Sequence, residues 1–164
     1  MNSNDAWAAL DQIAQWGRFA DAKAAVILAS SGVLGGLLLS RPATAGHEAS
    51  TVRAIVLGAG LVAVALGALF SLRALQPRLR VQRVTPTSLV YFDHVARRYA
   101  GSASDYVADF TAASADGALG QDVIGQVWAN SMIARRKFRQ VTIATWLLGL
   151  GLVACGVAVF LERI

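Results

Sequence analysis

Residues 141–161 form a run of 21 positions without one charged side chain. As a helix, at about 1.5 Å per residue, such a run rises roughly 31 Å, which matches the ~30 Å hydrocarbon core of a bilayer. Hydrocarbon offers no water to a backbone N–H or C=O, so a chain can bury this run in lipid only as a helix that satisfies those groups internally. Two further uncharged runs occupy residues 24–40 and 54–72. The first is short for a span, but Lys23 and Arg41 flank it and can snorkel outward. Composition agrees with this reading. Hydrophobic residues make up 55% of the 164 and charged residues 15%, where soluble domains average about 25% charged. The sequence therefore predicts an all-α membrane protein with about three transmembrane helices, an N-terminal amphipathic helix and a small helical module continuous with the last span.

The positive charge gives the expected orientation. Of the 15 Lys and Arg residues, ten lie from residue 73 to residue 139: Arg73, Arg78, Arg80, Arg83, Arg97, Arg98, Arg135, Arg136, Lys137 and Arg139. The connector between the first two runs carries only its bounding Arg41 and Arg53. Cytoplasmic loops carry the excess of basic residues, so residues 76–139 and the N-terminus are expected in the cytoplasm and the connector outside. The pI near 10.1 needs no nucleic acid to explain it, because much of the charge flanks spans. The expected organisation is residues 1–23 as the amphipathic helix, 24–75 as a transmembrane hairpin, 76–139 as a cytosolic helical sensor module and 140–164 as the C-terminal span.

Within residues 4–20, Trp7, Leu10, Ala14 and Gly17 fall near one helical face, and Asp11, Gln15 and Arg18 on another. Ser3 or Asn4 can cap this helix. It could lie in the membrane interface or pack on the protein's own soluble part. Residues 76–86 alternate basic and apolar side chains and read as extended or loop. A helix is expected from Thr87 or Ser88 through Leu89, Phe92, Val95 and Tyr99, with Asp93 and Arg97 one turn apart and Gly101 as its stop. A second, shorter one is expected near 104–114, then breaks at Gly117 and Gly120, then a helix from Gln121 running unbroken into the last span. Gly32 and Gly36 form a GxxxG pattern suited to close helix packing between subunits, and Gly149, Gly151 and Gly156 mark the third span.

Signs of catalysis are missing from the sequence. His47 and His94 are the only histidines, and the expected topology separates them. No His/Cys cluster has metal-ligand spacing, and neither a phosphate-binding loop nor a nucleophile elbow occurs. Asp105 and Asp109, at i and i+4, read as a solvated helix face. The lone Cys155 lies in an apolar run and reads as a small hydrophobe. The first 23 residues are polar and mixed in charge, without a cleavable signal. No enzyme activity, metal or cofactor is expected. None of the apolar runs holds an ionisable residue, so a standing ion pathway is not encoded. The module does carry groups suited to a small anion. Arg78 and Arg80, with Arg97, offer guanidinium forks, and Tyr91 and Phe92 offer stacking faces. The plainer reading makes these arginines topological and the aromatics core. Asn130, Lys137 and Arg139 fall where the module meets the last span and are candidate coupling residues.

Three local patterns in order carry a resemblance. Phe19-Ala20-Asp21-Ala22-Lys23-Ala24 runs into the first span, and Leu89-Val90-Tyr91-Phe92 opens the module. Gln126-x-x-x-Asn130-Ser131-x-Ile133-Ala134-x-x-Lys137-Phe138 then leads into the last span. With these apolar segments the chain resembles the transmembrane effector family of bacterial Pycsar antiphage systems, over nearly its whole length. The resemblance implies a homo-oligomer in the bacterial cell inner membrane, activated by cyclic UMP or cyclic CMP from a partner pyrimidine cyclase. It also implies membrane impairment that causes abortive infection. The competing class is a non-toxic membrane scaffold or sensor subunit with no nucleotide ligand.

Overall fold

The computed structural model describes residues 3–40, 51–76 and 87–161. Among these residues the regular structure is five helices: α1 (Ser3–Leu39), α2 (Thr51–Leu75), α3 (Phe92–Arg98), α4 (Ala103–Ala115) and α5 (Ala118–Leu161). Three of them, α1, α2 and α5, are long and apolar enough to cross a membrane. The all-α membrane architecture expected from the apolar runs is therefore the observed one.

The helix boundaries differ from the sequence expectation in three places. The segment 4–20 and the first apolar run are one helix rather than two elements, because nothing between residues 3 and 39 breaks helical backbone; α1 is 37 residues long. The helix expected from Thr87 or Ser88 starts only at Phe92, since Ser88 turns its hydroxyl back onto the next backbone amides, a local alternative to helix. Of the two glycines expected to break the chain before α5, only Gly117 does so. Its φ of +73° suits a residue without Cβ. Gly120 lies inside α5, which consequently starts at Ala118 rather than Gln121. Ser102 caps α4 by accepting from the Asp105 amide at 3.2 Å.

The chain divides into two compact units. Unit 1 comprises residues 1–18 and 77–135, and unit 2 comprises 19–76 and 136–164. In unit 2 the buried positions are Ala20, Ala24, Ile27, Ser31, Leu34 and Leu38 on α1 and Gly60, Val64, Gly67, Ser71 and Ala74 on α2. On α5 they are Val141, Ala144, Gly151 and Ala158. On α1 and α2 the spacing alternates four and three, the 3.5-residue repeat that keeps one seam facing its neighbours. Two layers result. Ala24, Ile27, Ala74, Val141 and Ala144 form one, with Phe70 and Leu148 against it; Leu34, Leu38 and Val64 form the other.

Small residues let these backbones approach. A Cβ on Gly60 would stand 2.8 Å from the Ala154 Cβ, one on Gly67 would stand 3.3 Å from the Ala144 carbonyl oxygen, and one on Gly151 would collide with Val64. The GxxxG glycines of the first apolar run do not serve this packing. Gly32 and Gly36, like Gly149 and Gly156, have open space where a Cβ would be. Large apolar side chains such as Val26, Val33, Leu37, Leu69, Trp146 and Phe160 are exposed instead. Small residues inside and large ones outside suit a bundle whose solvent is lipid, where association relies on close packing rather than on hydrophobic burial.

Candidate functional site

Unit 1 is organised around Ser88, which is 5% exposed. Its hydroxyl donates to the Asp122 Oδ2 at 3.0 Å. It accepts from the Val90 amide at 3.2 Å, the Tyr91 amide at 3.0 Å and the Gln126 Nε2 at 3.2 Å. The Leu89 amide donates to the same Asp122 oxygen at 2.7 Å, and the Ser88 amide donates to His94 Nδ1 at 3.3 Å. A neutral imidazole that accepts at Nδ1 carries its proton on Nε2. Residues 88–91 thus have their backbone amides satisfied by side chains of α3 and α5 and by the Ser88 hydroxyl. A segment that is neither helix nor strand needs such partners when it is enclosed.

An aromatic chain continues from this knot. Tyr106 donates its hydroxyl to the Leu89 carbonyl at 3.2 Å. Its ring lies 5.3 Å from Tyr99 in edge geometry and 5.7 Å from Phe110. Tyr99 donates to Asp109 at 2.6 Å, and Arg98 donates to the same carboxylate oxygen at 2.7 Å while standing 5.0 Å from the Tyr99 ring centroid. Desolvation, then the hydrogen bond to Asp109, raises the Tyr99 phenol above its ordinary value near 10. Asp109 is therefore an organised acceptor while its side chain, 46% exposed, still lies on the solvated face that its spacing from Asp105 suggests.

The sequence candidates are distributed as follows. Arg78 and Arg80 lie outside the described residues. Tyr91 precedes α3, and its ring meets His94 edge-on at 5.1 Å and Phe92 at 5.0 Å. Phe92 itself is 63% exposed. Arg97 faces Asp93 at 3.8 Å, the i,i+4 pair expected, which contributes a few tenths of a kcal/mol. Tyr91 and Phe92 are thus brought together, and Arg97 lies one turn further on. Asn130 is half-buried in unit 1 and Arg139 is exposed in unit 2. Lys137 donates to both carboxylate oxygens of Asp21, at 2.7 and 2.8 Å, and so ties α5 to α1 within unit 2.

Sequence reasoning missed three of these arrangements: Ser88–Asp122–Gln126, Tyr99–Asp109–Arg98 and Asp21–Lys137. The partners in the first and third are 34 and 116 residues apart, beyond any local spacing rule. A usable signal existed only for the first, in Asp122 and Gln126 at i and i+4 on a helix otherwise rich in apolar residues. Among the described residues no group of three or more His, Cys, Asp or Glu could hold a metal ion.

Three comparisons bear on this arrangement. The family described as Pycsar effector protein domain matches residues 5–162, a stretch that takes in both units. The Pycsar effector protein PtPycTM of Propioniciclava tarda is 28% identical over 139 residues, which cover 84% of this chain and 68% of that protein. The Pycsar effector protein MePycTM of Micromonospora echinofusca is 45% identical over 56 residues, 34% of this chain and 95% of that protein. No solved structure matches.

Proposed function

The chain belongs to the Pycsar effector family, and from that premise we propose that it is a membrane effector of antiphage defence, activated by a cyclic pyrimidine mononucleotide. The observation that carries the reading is the extent of the family match, across both the lipid-suited bundle of unit 2 and the polar, aromatic unit 1. In this reading unit 1 is the cytoplasmic receiver. Cyclic UMP or cyclic CMP presents one negative charge and one flat base. Arginine forks suit the first, and the exposed Phe92 beside Tyr91 suits the second. The ligand comes from a pyrimidine cyclase activated by infection.

Unit 2 is the output, seated in the bacterial inner membrane. Apart from Arg73, which directly borders Ala74, its described helices hold no Asp, Glu, Lys, Arg or His between the layer at Ala24, Ala74 and Val141 and the layer at Leu34, Leu38 and Val64. A closed bundle of this kind conducts nothing by itself, so membrane damage requires it to repack or to assemble with other copies. Ligand can drive such a change only through different affinities for the two states. Because α5 is shared by both units as one helix, its backbone supplies a continuous path between receiver and output.

The test is direct. The full chain in micelles is titrated with cyclic UMP, cyclic CMP, cyclic AMP and cyclic GMP, and cells expressing it with a pyrimidine cyclase are followed for loss of membrane potential. Saturable binding of a pyrimidine ring over both purines, together with cyclase-dependent depolarisation, is expected. Failure to bind any of the four would leave the scaffold alternative in its place.

A further inference from the structure

Most of the charge on the described helices of unit 2 lies at one end, Arg53 near the start of α2 being at the other. On α1, Lys23 directly precedes Ala24; on α2, Arg73 directly precedes Ala74; on α5, Arg136 and Arg139 lie within five residues of Val141. Ala24, Ala74 and Val141 belong to a single packed layer, so Lys23, Arg73 and Arg139 stand close to one level on three helices, with Arg136 about one turn further out. All four are exposed. Lys23 stands 4.5 Å from the Phe19 ring centroid, and none of the four makes an ion pair among the described residues.

Asp21 is the single acidic residue among the described residues of unit 2. Lys137 covers it with two short contacts, so the pair is neutral and this end keeps four uncompensated positive charges. On α1 and α2 the surface becomes apolar within three or four residues of the cation, and on α5 about two turns beyond Arg139. Val26 is 66% exposed on α1 and Leu69 56% on α2, and on α5 Trp146 is 73% exposed.

We propose that this collar binds anionic phospholipid headgroups, and that the Asp21–Lys137 pair sets the strength of the preference. The geometry selects a lipid over a soluble anion. The cations are spread over three helices instead of converging on one point, and each of the three helices turns apolar toward the bundle interior from its cations. That is the layout of a phosphate over acyl chains. Each Lys or Arg near an anionic surface contributes a fewfold to association, and salt screens the effect. Lys137 adds nothing to this field while it is bound to Asp21, and Asp21 subtracts nothing.

The two members of one ion pair therefore act in opposite directions. Lys137→Gln uncovers a carboxylate among the headgroups and lowers the preference for anionic lipid. Asp21→Asn releases a fifth cation and raises it. A merely structural pair would loosen the bundle equally from either side and shift lipid preference in one direction or not at all.

The experiment uses the full chain reconstituted in vesicles of phosphatidylcholine with phosphatidylglycerol. Trace spin-labelled versions of each lipid report the relative association of the two with the protein. The wild-type chain is expected to favour phosphatidylglycerol by about two- to fivefold, falling toward parity in Arg136→Gln/Arg139→Gln and at high salt. Lys137→Gln should fall below wild type and Asp21→Asn should exceed it. Equal association of the two lipids with the wild-type chain overturns the proposal. So does a shift of the same sign in the two ion-pair variants.

Discussion

Ser88 in unit 1 and Ser71 in unit 2 are both enclosed, at 5% and 0% exposure, yet the Ser88 hydroxyl exchanges hydrogen bonds with Asp122, Val90, Tyr91 and Gln126 while the Ser71 hydroxyl has no partner. The first serine is there for its polarity and the second for its size. Among the described residues unit 1 has few buried apolar side chains, Ala6 and Val123, and holds an irregular segment in place by satisfying its amides. Unit 2 has its amides satisfied within long helices and needs only residues small enough to let those helices meet. A buried hydroxyl can thus be a keystone or a spacer within one chain, depending on whether the backbone beside it is already hydrogen-bonded.

Substitution at Ser88 is the strongest way to break that contrast. Ser88→Ala leaves two backbone amides, Gln126 and one contact of Asp122 without their partner. The expected cost is roughly 2–4 kcal/mol, from several enclosed groups each losing a hydrogen bond. Amide exchange over residues 87–99 should accelerate by two orders of magnitude or more while exchange in α2 is unchanged. Equal acceleration in α2 would show that the division into two stabilising schemes is wrong.

In unit 2 the corresponding probe is volume. Gly151→Val drives a branched side chain against Val64 and should cost about 1–3 kcal/mol by overpacking. Gly32→Val, made where a Cβ meets nothing, should stay within about 0.5 kcal/mol in the same thermal unfolding measurement in micelles. If Gly32→Val proved the more damaging, its face would be packed against something other than lipid, as the expected close packing between subunits requires.

Titration sharpens the unit 1 side. The Tyr99 phenol is raised above its unfolded value, so its contribution to stability is complete below pH ~10 and is lost as pH rises through the folded value. Phenolate absorbance should show a late transition from Tyr99 that moves part of the way down in Asp109→Ala, since desolvation, the larger cause, remains. The smallest effect is expected at Ser71. Ser71→Ala should change stability by no more than about 0.5 kcal/mol, because no hydrogen bond is removed and the volume is nearly kept. A loss above 2 kcal/mol would mean that the hydroxyl has a partner after all and that the comparison with Ser88 fails.

The sequence alone determined what the chemistry of single segments can determine. An uncharged run of 21 residues has one solution in hydrocarbon, so the span at 141–161 and its two shorter companions were legible without coordinates. The ordered patterns around Asp21, Tyr91 and Gln126 made the family legible as well. Tertiary structure decided which residues meet. The GxxxG spacing at Gly32 and Gly36 says that a backbone can be approached, not by which helix. Packing placed Gly60, Gly67 and Gly151 at the seam because those positions, and not the GxxxG pair, share the 3.5-residue register with Val64 and Ala144. Likewise Asp21 and Lys137 each read as an ordinary boundary charge. Only the fold makes them neutralise one another across 116 residues, because an ion pair depends on distance in space, to which sequence separation is no guide.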